Sequence, residues 1–328
     1  MQQNNQLLTI GNTIVDMEYQ VSEETLTELG IDKGSMTLID AEKKQTLQNE
    51  LSDNAHLCSG GSAANTLYIA KKLGIQGHHL GVIGTDTLGD FTLSDYNTEQ
   101  LGHSFNTTQK DGDTGCCIVL ITPDGERTML TYLGVSTQFP QNFNPTDLIS
   151  STKLLLIEGY LLADDTCYNL LINTIIPTAQ SNNINIGLTL SDSFLIGLFK
   201  ERYLTILNKG LQFLFCNFDE AKALSNTSTL QDTSTFFTQH VTETIITDGS
   251  NGAHIITKTD TTTCATTPVT PIDTTGAGDS FAGTYLAERF KEKDITTAAT
   301  TANNIATLVV SHMGARPKEA LNSLLTPT

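Results

Sequence analysis

The sequence predicts an α/β fold around a mostly parallel sheet, because short apolar runs alternate with amphipathic stretches along most of its length. Parallel strands buried on both faces are near-continuously apolar, whereas the helices that cover them have one apolar face. The apolar runs predict strands at 7–10, 79–83, 154–157, 184–189, 211–216 and 244–247. The amphipathic stretches predict helices at 63–73, 86–101, 165–181, 193–207, 220–224, 280–290, 295–310 and 317–325.

Other β-rich stretches interrupt this alternation and predict a second, smaller sheet. Residues 14–21 alternate apolar and polar side chains, as a strand with one solvated face does. Residues 116–121 and 127–133 flank a Pro-Asp-Gly sequence, in which proline presets one dihedral angle of a turn and glycine takes the positive one. A small sheet on an α/β body is suited to covering a cleft. The Thr-rich segment 259–267 predicts an exposed β-hairpin region.

Composition and charge exclude several classes of protein. The 328 residues include 18 basic and 36 acidic side chains, a formal net charge of -18, and 38% are hydrophobic. This length and hydrophobic content suit one large or two smaller domains with a substantial core. Binding to nucleic acid or to anionic lipid needs clustered Lys and Arg, and no basic run here exceeds two residues. We therefore expect neither partner.

The cysteines, histidines and apolar runs predict a cytoplasmic protein without a metal site of zinc-ribbon or histidine type. The six cysteines form no C-x-x-C pair, and most lie in apolar runs where a reduced, buried thiol is expected. The seven histidines show no H-E-x-x-H spacing. The first residues are polar and uncharged, and no apolar run approaches the roughly 18 residues of a membrane span.

Residues 273–283 carry the pattern with the most chemical content. Gly276, Ala277 and Gly278 precede a predicted helix, and Asp279 lies in its first turn. Glycines let main-chain amides approach a ligand, and the unpaired amides at a helix start favour an anion. A phosphate held beside a proton-accepting carboxylate predicts phosphoryl transfer to a hydroxyl group. In the alternative interpretation, the glycines only turn the chain and Asp279 caps the helix.

A second glycine-rich segment, residues 59–65, has the sequence Ser-Gly-Gly-Ser-Ala-Ala-Asn at the start of another predicted helix. Its small residues admit a ligand, and Asn65 offers both a donor and an acceptor, which suits sugar hydroxyls. A helix start packed tightly on the sheet is the alternative. Three other motifs are absent: the P-loop, the G-x-G-x-x-G turn and the G-x-S-x-G elbow of serine hydrolases.

These two segments occur together with further motifs, and the sequence resembles the ribokinase (PfkB) family of carbohydrate and nucleoside kinases over residues 7–317. The segments that carry the resemblance are 11–16, 59–65, 84–89, 217–220, 247–252 and 273–279. Within the family, residues 127–129, 158–161, 189–192 and 314–317 are most similar to a bacterial adenosine-kinase-like branch. The sequence departs from the family at Leu67 and Thr284, where relatives usually carry small residues.

The resemblance implies a ribokinase-like three-layer α/β fold with a central, mostly parallel sheet and a small β-sheet lid. It assigns residues 1–12, 41–103 and 136–328 to a large nucleotide-binding domain. Residues 13–40 and 104–135 then form the discontinuous lid. Because unpaired strand edges favour association, the lid edges are candidate surfaces for a homodimer.

Carried over residue by residue, the resemblance implies a catalytic group and a substrate-binding group. Asp279 is the base that takes the proton from a substrate CH2OH, and the amides of Gly276, Ala277 and Gly278 form an anion hole. The substrate-binding residues implied are Asn12, Asp16, Gly60, Gly61 and Asn65, together with Arg127. Arg127 is expected to reach the substrate or its phosphate from the lid, and a solvated strand residue is the alternative.

The resemblance also implies binding of ATP and metal ions. The residues expected along the nucleotide are Asn217, Glu220, Thr247, Gly249, Gly252 and Asn304. Glu220, with Asn217, is expected to position Mg2+ through water, and Asp273 and Thr275 are candidates for a K+ site. The expected reaction is ATP-dependent phosphorylation of a primary hydroxyl, with adenosine as the first acceptor considered. A ribokinase- or fructokinase-type sugar kinase is the alternative, and a non-catalytic sensor of the same fold is a third interpretation.

Overall fold

The computed structural model describes residues 5–51, 55–108, 112–140, 142–318 and 320–321, and these residues form two sheets. The strands of the larger sheet are β1 Leu7–Ile10, β5 Gly77–Gly84, β6 Gly102–Thr108, β9 Leu154–Glu158, β10 Asn185–Thr189, β11 Leu211–Asn217, β12 Val241–Thr247, β13 Ala253–Thr257 and β14 Thr261–Cys264. The strands of the smaller sheet are β2 Ile14–Gln20, β3 Met36–Leu38, β4 His56–Ser59, β7 Gly115–Ile121 and β8 Arg127–Tyr132.

Helices cover the larger sheet and flank the smaller one. They are α1 Glu23–Leu29, α2 Ala41–Glu50, α3 Ser62–Lys72, α4 Thr87–Thr98, α5 Thr146–Ser150, α6 Asp165–Leu170, α7 Ile176–Ser181, α8 Ser193–Leu207, α9 Phe218–Ser225, α10 Leu230–Phe237, α11 Ala277–Phe290 and α12 Ile295–Val310. A π-helical turn at Leu171–Ile175 joins α6 to α7. Within the described ranges, no helix is both long enough and apolar enough to cross a bilayer.

The larger sheet has the strand order β14-β13-β12-β11-β10-β9-β1-β5-β6 and is parallel except for its antiparallel pairs β12–β13 and β13–β14. Strand β9 shows why its apolar run is continuous: Leu155 and Ile157 belong to one hydrophobic core, and Leu154 and Leu156 to another. Both faces of the sheet are therefore covered. This confirms the predicted α/β fold with a central, mostly parallel sheet and a smaller second sheet.

Helices α3 and α11 pack against each other in the second of these cores, which is where the two glycine-rich segments begin their helices. They are in close contact at Gly283, where a Cβ atom would lie 2.4 Å from the Thr66 carbonyl oxygen. Leu67 and Thr284, the two departures from the family pattern, are completely buried in this region. The packing places the start of α11 beside the start of α3.

The smaller sheet has the strand order β3-β8-β7-β2-β4, and its membership differs from the expected domain boundaries. Strand β4 pairs with β2 although 41–103 was assigned to the large domain. Strand β6 pairs with β5 in the larger sheet although residues 104–108 were assigned to the lid. Both strands are rich in polar residues, so neither shows the alternation that reveals a strand with one buried face.

The strands predicted from apolar runs are confirmed, and so are the helices with clear amphipathic patterns. The predicted helix 165–181 is helical throughout, and the predicted helix 317–325 lies mostly outside the described residues. The hairpin expected near 259–267 is formed by β13 and β14. All six cysteines are free thiols, five of them buried.

Candidate active site

The expected site residues gather at the carboxyl edge of the larger sheet. Strands β9, β11 and β12 end at Glu158, Asn217 and Thr247, and Asn217 aligns with Thr247 across the β11–β12 pair. Strand β1 ends just before Gly11 and Asn12. In open α/β sheets, ligands bind outside the carboxyl ends of the strands, and this edge is therefore the candidate cleft.

The start of α11 is open to solvent at the position expected for an anion hole. Gly276 has φ +74°, and a Cβ atom there would lie 2.5 Å from the Ala315 Cβ, so only glycine fits. A Cβ atom at Gly278 would meet nothing within 4 Å. The Ala277 N–H donates to the Thr274 carbonyl oxygen at 3.2 Å, whereas the Gly276, Gly278 and Asp279 amides have no acceptor among the described residues. The amides available to an anion are therefore those of Gly276, Gly278 and Asp279.

The carboxylate of Asp279 is held by two side chains from α3. The Ser62 hydroxyl donates to its Oδ1 at 2.6 Å, and the Asn65 Nδ2 donates to its Oδ2 at 3.0 Å. Burial raises the pKa of Asp279, while these two hydrogen bonds and the charge of Arg316 act to lower it. The arrangement fixes the orientation of a carboxylate that is able to accept a proton.

The residues expected to bind substrate hydroxyls form one group at the junction of the two sheets. A Cβ atom at Gly60 would lie 2.9 Å from both carboxylate oxygens of Asp16. Gly61 has φ +96°, and a Cβ atom there would lie 2.3 Å from the Asn12 carbonyl oxygen. Burial raises the pKa of Asp16 to about 7, and the nearby charge of Arg127 opposes the shift. The two glycines thus permit backbone contact that no side chain would allow.

Glu158 connects segment 59–65 to segment 11–16 through hydrogen bonds. This carboxylate is 1% exposed, and it accepts the Ala63 N–H at 2.8 Å and the Asn12 N–H at 3.2 Å. Burial raises its pKa to about 7. Sequence analysis had not assigned Glu158 a role, although it begins one of the strings that resemble the adenosine-kinase-like branch. Its position after an apolar strand, at the edge where ligands bind, was the available signal.

Arg127 is buried rather than solvated, so the alternative of an exposed strand residue is wrong. Its side chain is 8% exposed and forms ion pairs with Asp273 and with Glu18. The guanidinium therefore links two strands of the smaller sheet, β2 and β8, to the loop that leads into α11. Contact between Arg127 and a substrate phosphate stays a prediction.

On the nucleotide side, Asn217 and Glu220 form a capping box at the start of α9. The Glu220 carboxylate accepts the Asn217 N–H at 3.0 Å and the Asn217 Nδ2 at 2.8 Å, and the Asn217 Oδ1 accepts the Glu220 N–H. Burial raises the pKa of Glu220 to about 7. Each carboxylate oxygen keeps a free lone pair, and Mg2+ in proteins retains several waters. These residues fit a role in holding the waters of Mg2+.

The other residues expected along the nucleotide do not form one hydrogen-bonded group. They are Thr247, Gly249, Gly252 and Asn304. Gly249 and Gly252 have φ values of +51° and +90° and form the turn that follows β12. The Thr247 hydroxyl donates to the Cys216 carbonyl oxygen at 3.4 Å. Asn304 is exposed on α12, so its contact with a nucleotide stays a prediction. Its neighbour Asn303 is buried and donates to the main-chain carbonyls of Cys264, the last residue of β14, and of Ala265.

The expected K+ residues already have partners. Asp273 accepts the Thr275 N–H at 2.9 Å and the Gly314 N–H at 2.7 Å, and it also pairs with Arg127. A monovalent cation at Asp273 would have to compete with the guanidinium. The K+ site therefore stays a prediction.

Comparison with known proteins identifies the family. The model of the pfkB family of carbohydrate kinases matches residues 31–321. The chain belongs to the pfkB family of carbohydrate kinases. It is 27% identical to an adenosine kinase of Saccharomyces cerevisiae, over 94% of this chain and 95% of that protein. The adenosine kinase structure from Sinorhizobium meliloti superposes with a TM-score of 0.89 at 26% identity, over 98% of both chains. A probable sugar kinase from Rhizobium etli gives 0.88 at 26% identity, over 98% of this chain and 97% of that one.

As a pfkB-family kinase, the protein is a phosphotransferase that acts on an alcohol group of a sugar or nucleoside, with ATP as its co-substrate. The fold also matches the ribokinase-like expectation. Three residues of the cleft escaped assignment by sequence analysis: Ser62, Glu158 and Arg316. Ser62 lay inside a motif that was recognised, but only the structure shows its hydroxyl bonded to Asp279.

Proposed function

We propose that this pfkB-family kinase transfers the γ-phosphate of ATP to the primary hydroxyl of adenosine, forming AMP and ADP. The observation that carries the proposal is the placement of the Asp279 carboxylate, held by Ser62 and Asn65, beside the unpaired amides at the start of α11. A phosphoryl group bound at these amides lies next to a proton acceptor. This is the arrangement that in-line transfer to an alcohol requires.

In the proposed reaction, the acceptor oxygen forms a bond to the γ-phosphorus while the bond to the bridging oxygen of ADP breaks. The acceptor proton passes to Asp279. An alcohol is a very weak acid, so the proton moves late, and this transfer contributes roughly 10^2- to 10^4-fold to the rate. Mg2+, when bound, would neutralise phosphate charge, and we propose that Glu220 would hold its waters. The rest of the acceleration comes from alignment and from the unpaired amides at the start of α11.

Two observations support adenosine as the acceptor: the similarity of the chain to adenosine kinases, and the polar groups at the junction of the two sheets. The yeast and Sinorhizobium proteins, which match nearly the whole of this chain, are named adenosine kinases. Asp16 presents two carboxylate oxygens, which suit a pair of ribose hydroxyls. The alternative acceptor is a free sugar such as ribose or fructose, and the likeness to a probable sugar kinase favours it. A non-catalytic sensor is less well supported, because the chain retains Asp279, Asn217 and Glu220.

The test is acceptor-dependent release of ADP by the purified protein. ATP and Mg2+ are supplied with adenosine, other nucleosides, ribose or fructose, each with and without K+. We expect the highest kcat/KM with adenosine. Turnover of ribose or fructose without turnover of adenosine would establish the sugar-kinase alternative. If the protein binds ATP but releases no ADP with any of these compounds, the sensor interpretation would be favoured.

A further inference from the structure

Arg316 contacts the side chain that holds Asp279. Its Nε donates to the Asn65 Oδ1 at 2.8 Å, and the Asn65 Nδ2 donates in turn to the Asp279 Oδ2 at 3.0 Å. A guanidinium only donates hydrogen bonds, and an ionised carboxylate only accepts them. The Asn65 amide therefore has one favourable orientation, with its oxygen toward Arg316 and its nitrogen toward Asp279.

Packing holds Arg316 rigidly in this position. The side chain is 4% exposed, and the guanidinium carbon lies 5.1 Å from the ring centre of Tyr68 and 5.9 Å from that of Tyr96. Its Nη1 lies 3.6 Å from an Asp95 carboxylate oxygen. Stacking on aromatic rings and attraction to a carboxylate both favour a fixed guanidinium.

The same packing leaves Arg316 incompletely bonded. Neither Nη1 nor Nη2 has a hydrogen-bond partner within the described part of the chain. A buried charged group without its full set of hydrogen bonds lowers stability, and an apolar residue of similar volume is often neutral or stabilising in such a place. Stability alone therefore does not account for an arginine here, whereas its bond to Asn65 gives it a role at the cleft.

We propose that Arg316 is a positioning residue for phosphoryl transfer, which fixes the Asn65 amide so that it donates to the carboxylate of Asp279. This inference rests on the proposed function, because it assigns Asp279 the role of proton acceptor. Without Arg316, the Asn65 amide is free to rotate and present its oxygen to Asp279. The carboxylate would then lose a donor and face a repulsive dipole.

The charge of Arg316 acts in the same direction as its hydrogen bond. It lowers the pKa of Asp279, against the larger upward effect of burial. The other titratable groups near Asp279 are Glu158 on β9, Glu220 on α9, and Tyr160 just after β9, and each interacts electrostatically with it. All three are acids, so within the part of the chain that the structure describes, Arg316 is the cation whose charge lowers the pKa of Asp279.

The experiment compares Arg316→Met with Arg316→Lys. Methionine keeps an apolar stem but removes the charge and the donor, whereas lysine keeps the charge and removes the planar Nε donor. A 13C NMR titration of the Asp279 carboxyl, assigned with Asp279→Asn, measures its pKa without any turnover. We expect the pKa of Asp279 to rise in both variants, by more in Arg316→Met, which loses the charge as well as the Nε donor that orients Asn65. An unchanged pKa in a folded Arg316→Met protein would overturn the inference.

Steady-state kinetics provides the second measurement. We expect kcat to fall about tenfold or more in both variants, with the KM of the acceptor nearly unchanged, because misplacing a reacting group by about 1 Å costs up to 10^2-fold. In Arg316→Met, the acidic limb of the kcat profile should also move to higher pH. If Arg316→Met fails to fold, Arg316→Lys decides the question, and a wild-type kcat in that variant would contradict the inference.

Arg289→Met is the matched control. Arg289 lies on α11, ten residues from Asp279 and about 15 Å along the helix, and pairs with Glu243. This variant should lose stability but keep the Asp279 pKa and the wild-type kcat. Failure of the proposed function is distinguishable: a wild-type protein without acceptor-dependent ADP release would refute that function, while the NMR titration would still decide the role of Arg316.

Discussion

The guanidinium of Arg127 pairs with the carboxylate of Asp273 and joins the small sheet to the loop that leads into α11. The same guanidinium pairs with Glu18 at 2.5 Å on a neighbouring part of the small sheet. Asp273 also accepts the amides of Thr275 and Gly314. One side chain thus connects the small sheet to the loop that leads into the amides proposed to bind an anion.

Replacing Arg127 with methionine should destabilise the protein strongly. It would leave the buried Asp273 and the partly buried Glu18 without their cation, and breaking a buried ion pair typically costs about 3–5 kcal/mol of unfolding free energy. The loss of the Arg127 charge should also raise the pKa of Asp16 further, because that charge now opposes the effect of burial. Urea denaturation at pH 7 measures the stability. The control is Lys33→Met, which breaks an exposed pair with Glu23 and Asp124 on the same part of the molecule. An equal loss in both variants would contradict this account.

Asp279→Asn should lose most turnover while it still binds ATP. Asparagine can accept the Ser62 hydroxyl at its oxygen, but it cannot take a proton from the acceptor alcohol. We expect kcat to fall roughly 10^2- to 10^4-fold, the range of a general base. Calorimetric titration with ATP and Mg2+ checks that binding survives. Near-normal turnover would remove Asp279 from its proposed role.

Gly278→Ala should lower the activity of the enzyme without lowering its stability. A Cβ atom there meets nothing within 4 Å, and alanine in place of glycine in a helix stabilises by about 0.4–1 kcal/mol. The methyl group would, however, stand in the space where the phosphoryl group is proposed to bind. We expect an unchanged or higher melting temperature with a lower kcat/KM for ATP.

Gly276→Ala is the contrasting variant. Its Cβ atom would lie 2.5 Å from that of Ala315, and its φ of +74° disfavours any side chain. This protein should be less stable as well as less active. Full activity of Gly278→Ala would argue that the phosphoryl group binds elsewhere.

The pH dependence of stability should follow the buried acids. Asp16, Glu158 and Glu220 each have a pKa raised by burial to about 7, from ordinary values of 3.8 for aspartate and 4.5 for glutamate. Between those values and pH 7 the folded state holds more protons than the unfolded state, so stability falls as the pH rises through this window. Glu158→Gln should flatten the decline. Melting temperatures from pH 4.5 to 8 test this, and a slope equal to that of the wild type would contradict the raised pKa of Glu158.

The sequence predicted the fold well where a physical pattern is strong. Apolar runs such as residues 154–157 revealed buried parallel strands, and glycine-rich strings marked the helix starts at the cleft. The pattern is weak for β4 and β6, whose polar residues hide their pairing. Contacts between distant segments, such as Arg127 with Asp273 or Arg316 with Asn65, leave no periodic signal, because each depends on how a strand or helix meets a loop far away in the sequence.

In the order of the described strands, the chain passes between the two sheets four times: at residues 11–13, at 60–61, between β6 and β7, and between β8 and β9. The first two passages lie directly beside the proposed hydroxyl-binding residues Asn12, Gly60 and Gly61. A substitution that changes the angle between the sheets would therefore also displace the backbone proposed to bind the acceptor, so that acceptor affinity depends on the packing of the small sheet.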